Sequence, residues 1–441
     1  MSLQPPEKTR KLQETLHAQA KESPGDRFYL LYDKVYREEV LAFAYQRCKA
    51  NGGAAGVDGQ NVEDIEADGV ERWLAELTDT LRNKTYRPQA VRRVSIPKPD
   101  GTKRPLGIPT IRDRVGQMAV VLVLEPIFEA DLLPEQYAYR PGRNALDAVR
   151  NVHALLNTGH TEGVDADLSA YVDSIPHAAL MKSVARRVRD RHVLHLIKRW
   201  LEAPVEELDE RGRPPRTTRN QDQGRGTPQG APISPRLANL YMRRFVLGWK
   251  TLGHEPRFQA QIVNYADDFV ICCRGSAEDA KRAMQNLMER LELTVNEAKT
   301  RVCHVPDEPF DFLGYTIGRC HSTQTGKAYI GTRPSRRRIA RMCGAIHEIT
   351  SSRWRMLDAP DRVVRLNRLL RGWANYFCLG PVSKAYRAVD AHARYRLRRW
   401  LCRKHKVQGQ GITRFPDDYR YRTLGLVRLG PRTHNLPWAK A

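Results

Sequence analysis

Apolar residues recur at helical spacing through the N-terminal region, where Phe28, Leu30, Leu31, Val35, Val40, Leu41 and Phe43 are interrupted by charges. A glycine-rich stretch from Asn51 to Asp58 breaks that pattern, and the spacing then predicts one helix over about Val62–Leu81. Next comes a basic, β-prone stretch. Pro99-Asp100-Gly101 is a turn signal between two extended arms, which predicts a hairpin from Arg92 to Pro109. A further helix is expected through Gly116–Glu125. The run Gly163–Val172 then mixes apolar and acidic residues in an extended pattern.

Beyond it, helices are expected at about 177–188 and 192–202, then a polar surface hairpin or loop from Leu208 to Arg225. Pro232–Trp249 reads as a helix, and Gln261–Tyr265 and Phe269–Cys273 as two short strands. Ser276-Ala-Glu-Asp279 has the form of a capping box, opening a helix to about Leu291. Phe310–Gly331 is β-like, and three helices are expected at about 335–350, 361–378 and 383–406. Strand and helix interleave without a βαβ repeat, so the expected class is α+β. There is no internal repeat and no low-complexity linker.

Composition narrows this picture. A chain of 441 residues with 41% hydrophobic content can build two to four packed units. No run of about eighteen apolar residues occurs, which argues against a membrane span. The polar N-terminus, MSLQPPEKTRKLQETLH, lacks the apolar core of a secretory signal. The eight cysteines show no C-x-x-C spacing and read as reduced thiols of a cytoplasmic protein rather than zinc ligands or disulfides.

Charge changes the picture more. The +24 is uneven: Thr332–Ala441 holds 26 Lys and Arg against 6 Asp and Glu, a net of +20, leaving +4 for the rest. A segment so dominated by one sign repels itself without a polyanion, so it is expected to bind nucleic acid.

The candidate chemistry lies in Tyr265-Ala266-Asp267-Asp268. A bare Asp-Asp pair is ordinarily a turn. Here its arms are aliphatic and aromatic, so the acids should project from the middle of a buried sheet. Adjacent carboxylates repel unless a cation lies between them. With Asp167 from the earlier strand-like run, three carboxylates suit two divalent ions that activate a 3′-hydroxyl and hold a triphosphate.

This hairpin, its acid-bearing partner strand and Gly226-Thr-Pro-Gln-Gly-Ala-Pro-Ile-Ser-Pro235 together resemble the palm of a reverse transcriptase. More closely, the chain resembles the bacterial group II intron-encoded reverse transcriptase/maturase family. The likeness runs through Ile96–Pro109, Tyr139-Arg-Pro-Gly-Arg143, Phe312-Leu-Gly-Tyr315 and Leu370-Arg-Gly-Trp-Ala-Asn-Tyr-Phe377. It implies a right-hand polymerase with an N-terminal extension at 1–60, fingers at 61–160 and a palm at 161–330. A helical thumb or maturase domain would follow at 331–408, then a short DNA-binding remnant at 409–441.

The resemblance implies metal ligation by Asp167, Asp267 and Asp268, with Mg2+ as the ion and Mn2+ as an alternative. It gives Lys98 and Arg104 a grip on the incoming dNTP triphosphate, and Tyr171, Val172 and Gln229 the lining of the nucleotide pocket. Lys299 is placed to protonate the pyrophosphate leaving group. One departure stands out. The family carries an aromatic residue five positions after the first aspartate as a gate against the ribose 2′-hydroxyl, and this chain has Val172, with Ala170 where glycine is usual. Weakened exclusion of ribonucleotides is the consequence.

Arg336, Arg337, Arg338 and Arg341 fall on helix faces suited to tracking RNA or DNA phosphates. Trp354, Trp373, Tyr376, Tyr395 and Trp400 among them could stack on bases, but their helical spacing favours core positions. The partners implied are intron or template RNA, a DNA target or primer, and dNTPs. No paired Cys/His segment precedes Ala441, so no HNH endonuclease is expected. The expected setting is bacterial cytoplasm, associated with the nucleoid or a ribonucleoprotein. Other readings stay open: a maturase without polymerase activity, a reverse transcriptase domesticated for phage defence or CRISPR spacer acquisition, and an RNA-dependent RNA polymerase.

Overall fold

The structure, a computed structural model, describes residues 3–97, 103–207, 216–217, 222–322 and 325–435. Its strands are β1 (Val91–Pro97), β2 (Lys103–Ile108), β3 (Glu162–Asp167), β4 (Val205–Glu207), β5 (Arg216–Thr217) and β6 (Ala260–Tyr265). They continue with β7 (Asp268–Cys273), β8 (Arg301–His304), β9 (Phe310–Phe312), β10 (Tyr315–His321) and β11 (Ala328–Pro334). They form three sheets, ordered β2-β1-β4-β5, β6-β7-β3-β8 and β11-β10-β9, set among helices as an α+β fold.

The sheet β6-β7-β3-β8 is the wall on which the rest is hung. Side chains alternate across a strand, and β7 uses both faces. Phe269, Ile271 and Cys273 enter the large helical core on one side. Val270 and Cys272 enter a second core on the other, with helix Ala145–Asn157, Phe310, Phe312 and Tyr315. A strand buried on both faces reads as an unbroken apolar run, which is how Phe269–Cys273 appears in the sequence.

The helix Ile111–Glu129 lies inside the first core, and buried residues surround its axis. Pro126 sits within it and has no N–H for the Leu122 carbonyl one turn back. The Gln13 side chain supplies that donor, Nε2 to Leu122 O at 2.9 Å, and the His17 ring meets the Pro126 carbonyl at 3.0 Å. The N-terminal helix Glu7–Glu22 therefore satisfies a polar gap that the buried proline opens. Buried Arg187 completes the attachment, donating to the carbonyls of Ala20, Ser23 and Pro24. Asp190 accepts the N–H groups of Leu31 and Tyr32 at 2.9 and 2.8 Å.

The C-terminal helices Arg336–Ile349, Ala359–Tyr376 and Ser383–Lys404 enclose a third core around Leu366, Tyr386, Leu397 and Trp400. All three expected tail helices are present. The single helix expected over Val62–Leu81 is instead two, Val62–Asp68 and Val70–Arg82, broken at Gly69, whose φ of 99° no helix accommodates. Asn61 and Asp64 cap the first reciprocally, a box absent from the sequence expectation. At Ser276 the hydroxyl accepts the Asp279 N–H, so the cap itself is present. Helix Ala145–Asn157 was not anticipated either.

Two expectations fall partly on residues outside the described ones, namely the turn Pro99-Asp100-Gly101 and most of Leu208–Arg225. Within the latter, β5 pairs antiparallel with β4. The eight cysteines are free, and six of them are buried. No helix of the described residues is long and apolar enough to cross a membrane.

Candidate active site

Register brings the acids together. β3 and β7 pair antiparallel with Asp167 opposite Asp268 and Asp165 opposite Val270, while Tyr265 of β6 also faces Asp268. Residues directly opposite share a sheet face. Asp165, Asp167 and Asp268 therefore lie on the face that carries Val270 and Cys272, at its open end. Asp267 occupies the two-residue turn between β6 and β7 with Ala266, whose φ is +59°. A tight hairpin of this kind wants positive φ, which costs a non-glycine residue about 1 kcal/mol. Asn264 helps hold it: buried, its Nδ2 donates to the Ala266 carbonyl at 2.8 Å.

Crowding sets the electrostatics. Burial, then the charges of Asp165, Asp267 and Asp167, push the Asp268 carboxyl up to about 7. The nearby backbone N–H of Leu313 works the other way. Burial likewise raises Asp165 to about 6, although Arg301 lies 3.5 Å from it. Asp165 had no role in the sequence reading. Its signal was parity, since residues two apart on a strand share a face, and Asp165 and Asp167 are such a pair.

The Asp167 carboxylate is cradled by Asn296-Glu-Ala-Lys-Thr300. Lys299 Nζ donates to it at 2.9 Å and Asn296 Nδ2 at 3.3 Å, while the Asn296 N–H binds the Asp167 carbonyl at 2.8 Å. Lys299 thus stands beside a carboxylate expected to bind metal. Among the described residues no three His, Cys, Asp or Glu side chains converge tightly enough to chelate an ion as they stand. The donor set still suits a hard divalent cation: oxygen-only, partly buried and strained by its own charge.

The pocket residues expected beside this centre fall into two groups. Tyr171 is buried and its hydroxyl donates to the Ala238 carbonyl at 2.6 Å, so its ring belongs to the core. Val172 is half-buried against that core, and its carbonyl accepts the Thr227 N–H at 2.9 Å. Gln229 donates to Asp173 at 2.7 Å, and its carbonyl takes the Gly107 N–H of β2, also at 2.7 Å. Gly230, at φ +115°, lies so close to β2 that a Cβ would meet the Gly107 carbonyl at 2.6 Å. The β1–β2 hairpin is therefore seated directly on the Pro228-Gln229-Gly230 turn. Lys98 lies outside the described residues. Arg104 pairs with Ile96 through its backbone, and its side chain is likewise outside them.

Arg336, Arg337, Arg338 and Arg341 are all exposed on helix Arg336–Ile349. Arg338 also lies over Gly314, where a Cβ would meet its Nε at 2.8 Å. Among the aromatic residues, Trp400 is buried, Trp373 and Tyr376 are half-buried, and Tyr395 is 47% exposed. Trp354 sits between the guanidinium groups of Arg353 and Arg362. Core roles thus dominate over stacking surfaces.

Comparison with known families agrees with this geometry. Residues 96–317 match the reverse transcriptase (RNA-dependent DNA polymerase) family, and residues 339–415 match the group II intron maturase-specific domain. Protein YkfC of Escherichia coli K12 is 32% identical over 361 residues, covering 73% of this chain and 92% of that protein. The group II intron-encoded protein LtrA of Lactococcus lactis subsp. cremoris is 28% identical over 367 residues, 69% of this chain and 59% of LtrA. The nuclear intron maturase 2, mitochondrial, of Arabidopsis thaliana matches over 94 residues at 35% identity, 21% of this chain and 13% of that protein. The acid-bearing sheet lies inside the polymerase match, and the basic helices lie inside the maturase match except for the first three residues of helix Arg336–Ile349: the chain belongs to the reverse transcriptases of the group II intron-encoded family, which are RNA-directed DNA polymerases.

Proposed function

We propose that this reverse transcriptase extends a primer with dNTPs at a two-metal centre of Asp167, Asp267 and Asp268, using Mg2+ or, in its place, Mn2+. We further propose that its helical C-terminal region binds intron RNA, assists splicing and serves retrohoming to a DNA target. The observation that carries the reading is the pairing of Asp167 with Asp268 across β3 and β7, with Asp267 at the adjoining turn. When bound, the ions would lower the pKa of a primer 3′-hydroxyl and neutralise charge on the triphosphate.

The chain's own residues do the rest. The three carboxylates would supply oxygen ligands, Lys98 and Arg104 would grip the triphosphate, and β2 is seated against Gln229. Lys299, beside Asp167, would donate a proton to departing pyrophosphate. Val172 leaves room beside the sugar. Arg336, Arg337, Arg338 and Arg341 follow the phosphate backbone. We divide the chain accordingly into an extension at 1–60, fingers at 61–160, a palm at 161–330, a thumb at 331–408 and a basic terminal segment at 409–441.

Primer extension on poly(rA)/oligo(dT) tests the polymerase centre: the wild type should extend and Asp267→Ala should lose at least about a thousand-fold. Retained activity in that variant would refute it. Splicing of a flanking intron RNA at low Mg2+, with and without the protein, tests the maturase role separately.

A further inference from the structure

The turn that carries Asp267 is anchored from the face of the sheet opposite the paired acids. Asn264 of β6 stands across from Phe269 of β7, and Phe269 belongs to the large helical core. Asn264 therefore shares that apolar face, where it is fully buried. Its Nδ2 donates to the Ala266 carbonyl at 2.8 Å. Among the described residues its Oδ1 has no hydrogen-bond partner. A buried acceptor left bare costs stability, and an aliphatic side chain of similar size would avoid that cost. What the amide brings to this position is a donor, and the donor goes to the turn.

The base of this clamp is itself fixed. The Asn264 N–H binds the Glu135 carbonyl at 2.8 Å, and the Asn264 carbonyl accepts the Tyr137 N–H at 2.9 Å. Between those two residues, buried Gln136 donates to the backbone and side-chain oxygens of Asn239 at 2.9 and 3.1 Å. Asn239, also buried, donates in turn to the Ala138 carbonyl at 3.0 Å. Both backbone groups of Asn264 are thus in use, and its side chain reaches the turn from a strand held on either side.

The Ala266 carbonyl and the Asp267 nitrogen belong to one planar peptide, so holding the carbonyl sets the plane from which Asp267 departs. Ala266 has φ +59°, and Asp267 does not share that positive φ. Two-residue hairpin turns come in two primed forms, with φ positive at the first residue only or at both. Aspartate tolerates positive φ, so the residue types alone do not choose between them. We propose that Asn264 is a positioning residue of the polymerase centre: its amide clamps the Ala266 carbonyl, holds the turn in the form seen here and so sets the direction in which Asp267 presents its carboxylate to metal. This rests on Asp267 being a metal ligand. A ligand already held in one orientation binds without first being ordered, and releasing it weakens binding.

The test is Asn264→Leu, read as the Mn2+ affinity of the full chain with a dideoxy-terminated oligo(dT)/poly(rA) duplex bound, followed by EPR. No nucleotide is transferred, so turnover does not enter the measurement. The variant should bind Mn2+ about five-fold more weakly, the scale of one lost hydrogen bond. Asn239→Leu is the matched control, since it makes the same chemical change at another buried amide, whose bonds reach Gln136 and Ala138 and not the turn. It should lower Tm and leave the Mn2+ affinity alone. Wild-type affinity in Asn264→Leu, or an equal loss in both variants, overturns the proposal. Should the Leu variant not fold, Asn264→Ala, which also removes the donor, takes its place under the same two outcomes. Asp267→Ala separates the underlying reading: wild-type Mn2+ affinity there would refute Asp267 as a ligand, whatever Asn264 does.

Discussion

At the residue scale the acid site is a place where stability and function oppose each other. Asp268 holds its proton up to about 7 in the folded chain because burial and three neighbouring acids disfavour the charge. A carboxyl raised above its unfolded value binds protons more tightly when folded, so stability falls as pH rises through the window from about 4 to 7. Asp268→Asn should therefore melt a few degrees higher than the wild type at pH 8 in EDTA. The gap should close near pH 4, and the variant should be inactive. Thermal melts at the two pH values check the sign, and added Mg2+ should raise only the wild type. Val172 makes a second prediction. Tyr171 is turned into the core with its hydroxyl on Ala238, so it cannot stand in as the missing aromatic gate. Val172→Phe should improve selection of dNTPs over rNTPs by about ten-fold or more in competitive single-nucleotide incorporation. Equal selectivity in both proteins would remove Val172 from the pocket.

At the element scale, legibility followed periodicity. The tail helices and the strands flanking Asp267 and Asp268 were readable because each buries a regular face. Phe269–Cys273 was readable because both faces are covered. Helix Ala145–Asn157 was missed although Asn144 and Asp147 form a reciprocal capping box at its start. Gly69 was passed over because a lone glycine is tolerated in many helices, and only its φ of 99° ends this one. Asp167 was legible as an acid in a strand and Asp268 as an acid at a hairpin tip; the structure draws Asp268 into β7, and its pairing with Asp167 is a matter of register, which composition does not encode. The partnership of Lys299 with Asp167 likewise depends on a tertiary contact across 132 positions. The seat of the β1–β2 hairpin makes the element-scale prediction. Gly230→Ala puts a methyl group against the Gly107 carbonyl at a φ that already disfavours it. It should cost about 1–3 kcal/mol of stability. It should also raise KM for dNTPs more than it lowers binding of primer–template, measured by steady-state kinetics and filter binding.

At the scale of the whole molecule, charge and chemistry are segregated. The polymerase match is close to neutral on average, and most of the +24 lies beyond Thr332. Arg336, Arg337 and Arg341 are exposed together on one helix. Replacing all three by Ala should weaken RNA binding and flatten the slope of log K against log salt by about two. An unchanged slope would place the phosphate contacts elsewhere. The attachment of the N-terminal region has its own consequence, for the order in which the chain can fold during synthesis. Residues up to Tyr32 leave the ribosome well before the groups that hold them, Leu122, Arg187 and Asp190. At about 5–20 residues per second, the helix Glu7–Glu22 waits roughly 10–30 s for Arg187. During that interval Leu16 and Ala20, buried in the finished protein, face solvent or a chaperone. The helix Glu7–Glu22 thus meets Leu122 and Pro126 of helix Ile111–Glu129 before it meets Arg187, and a ribosome stalled before Asp190 holds a nascent chain whose N-terminal attachment is only half made.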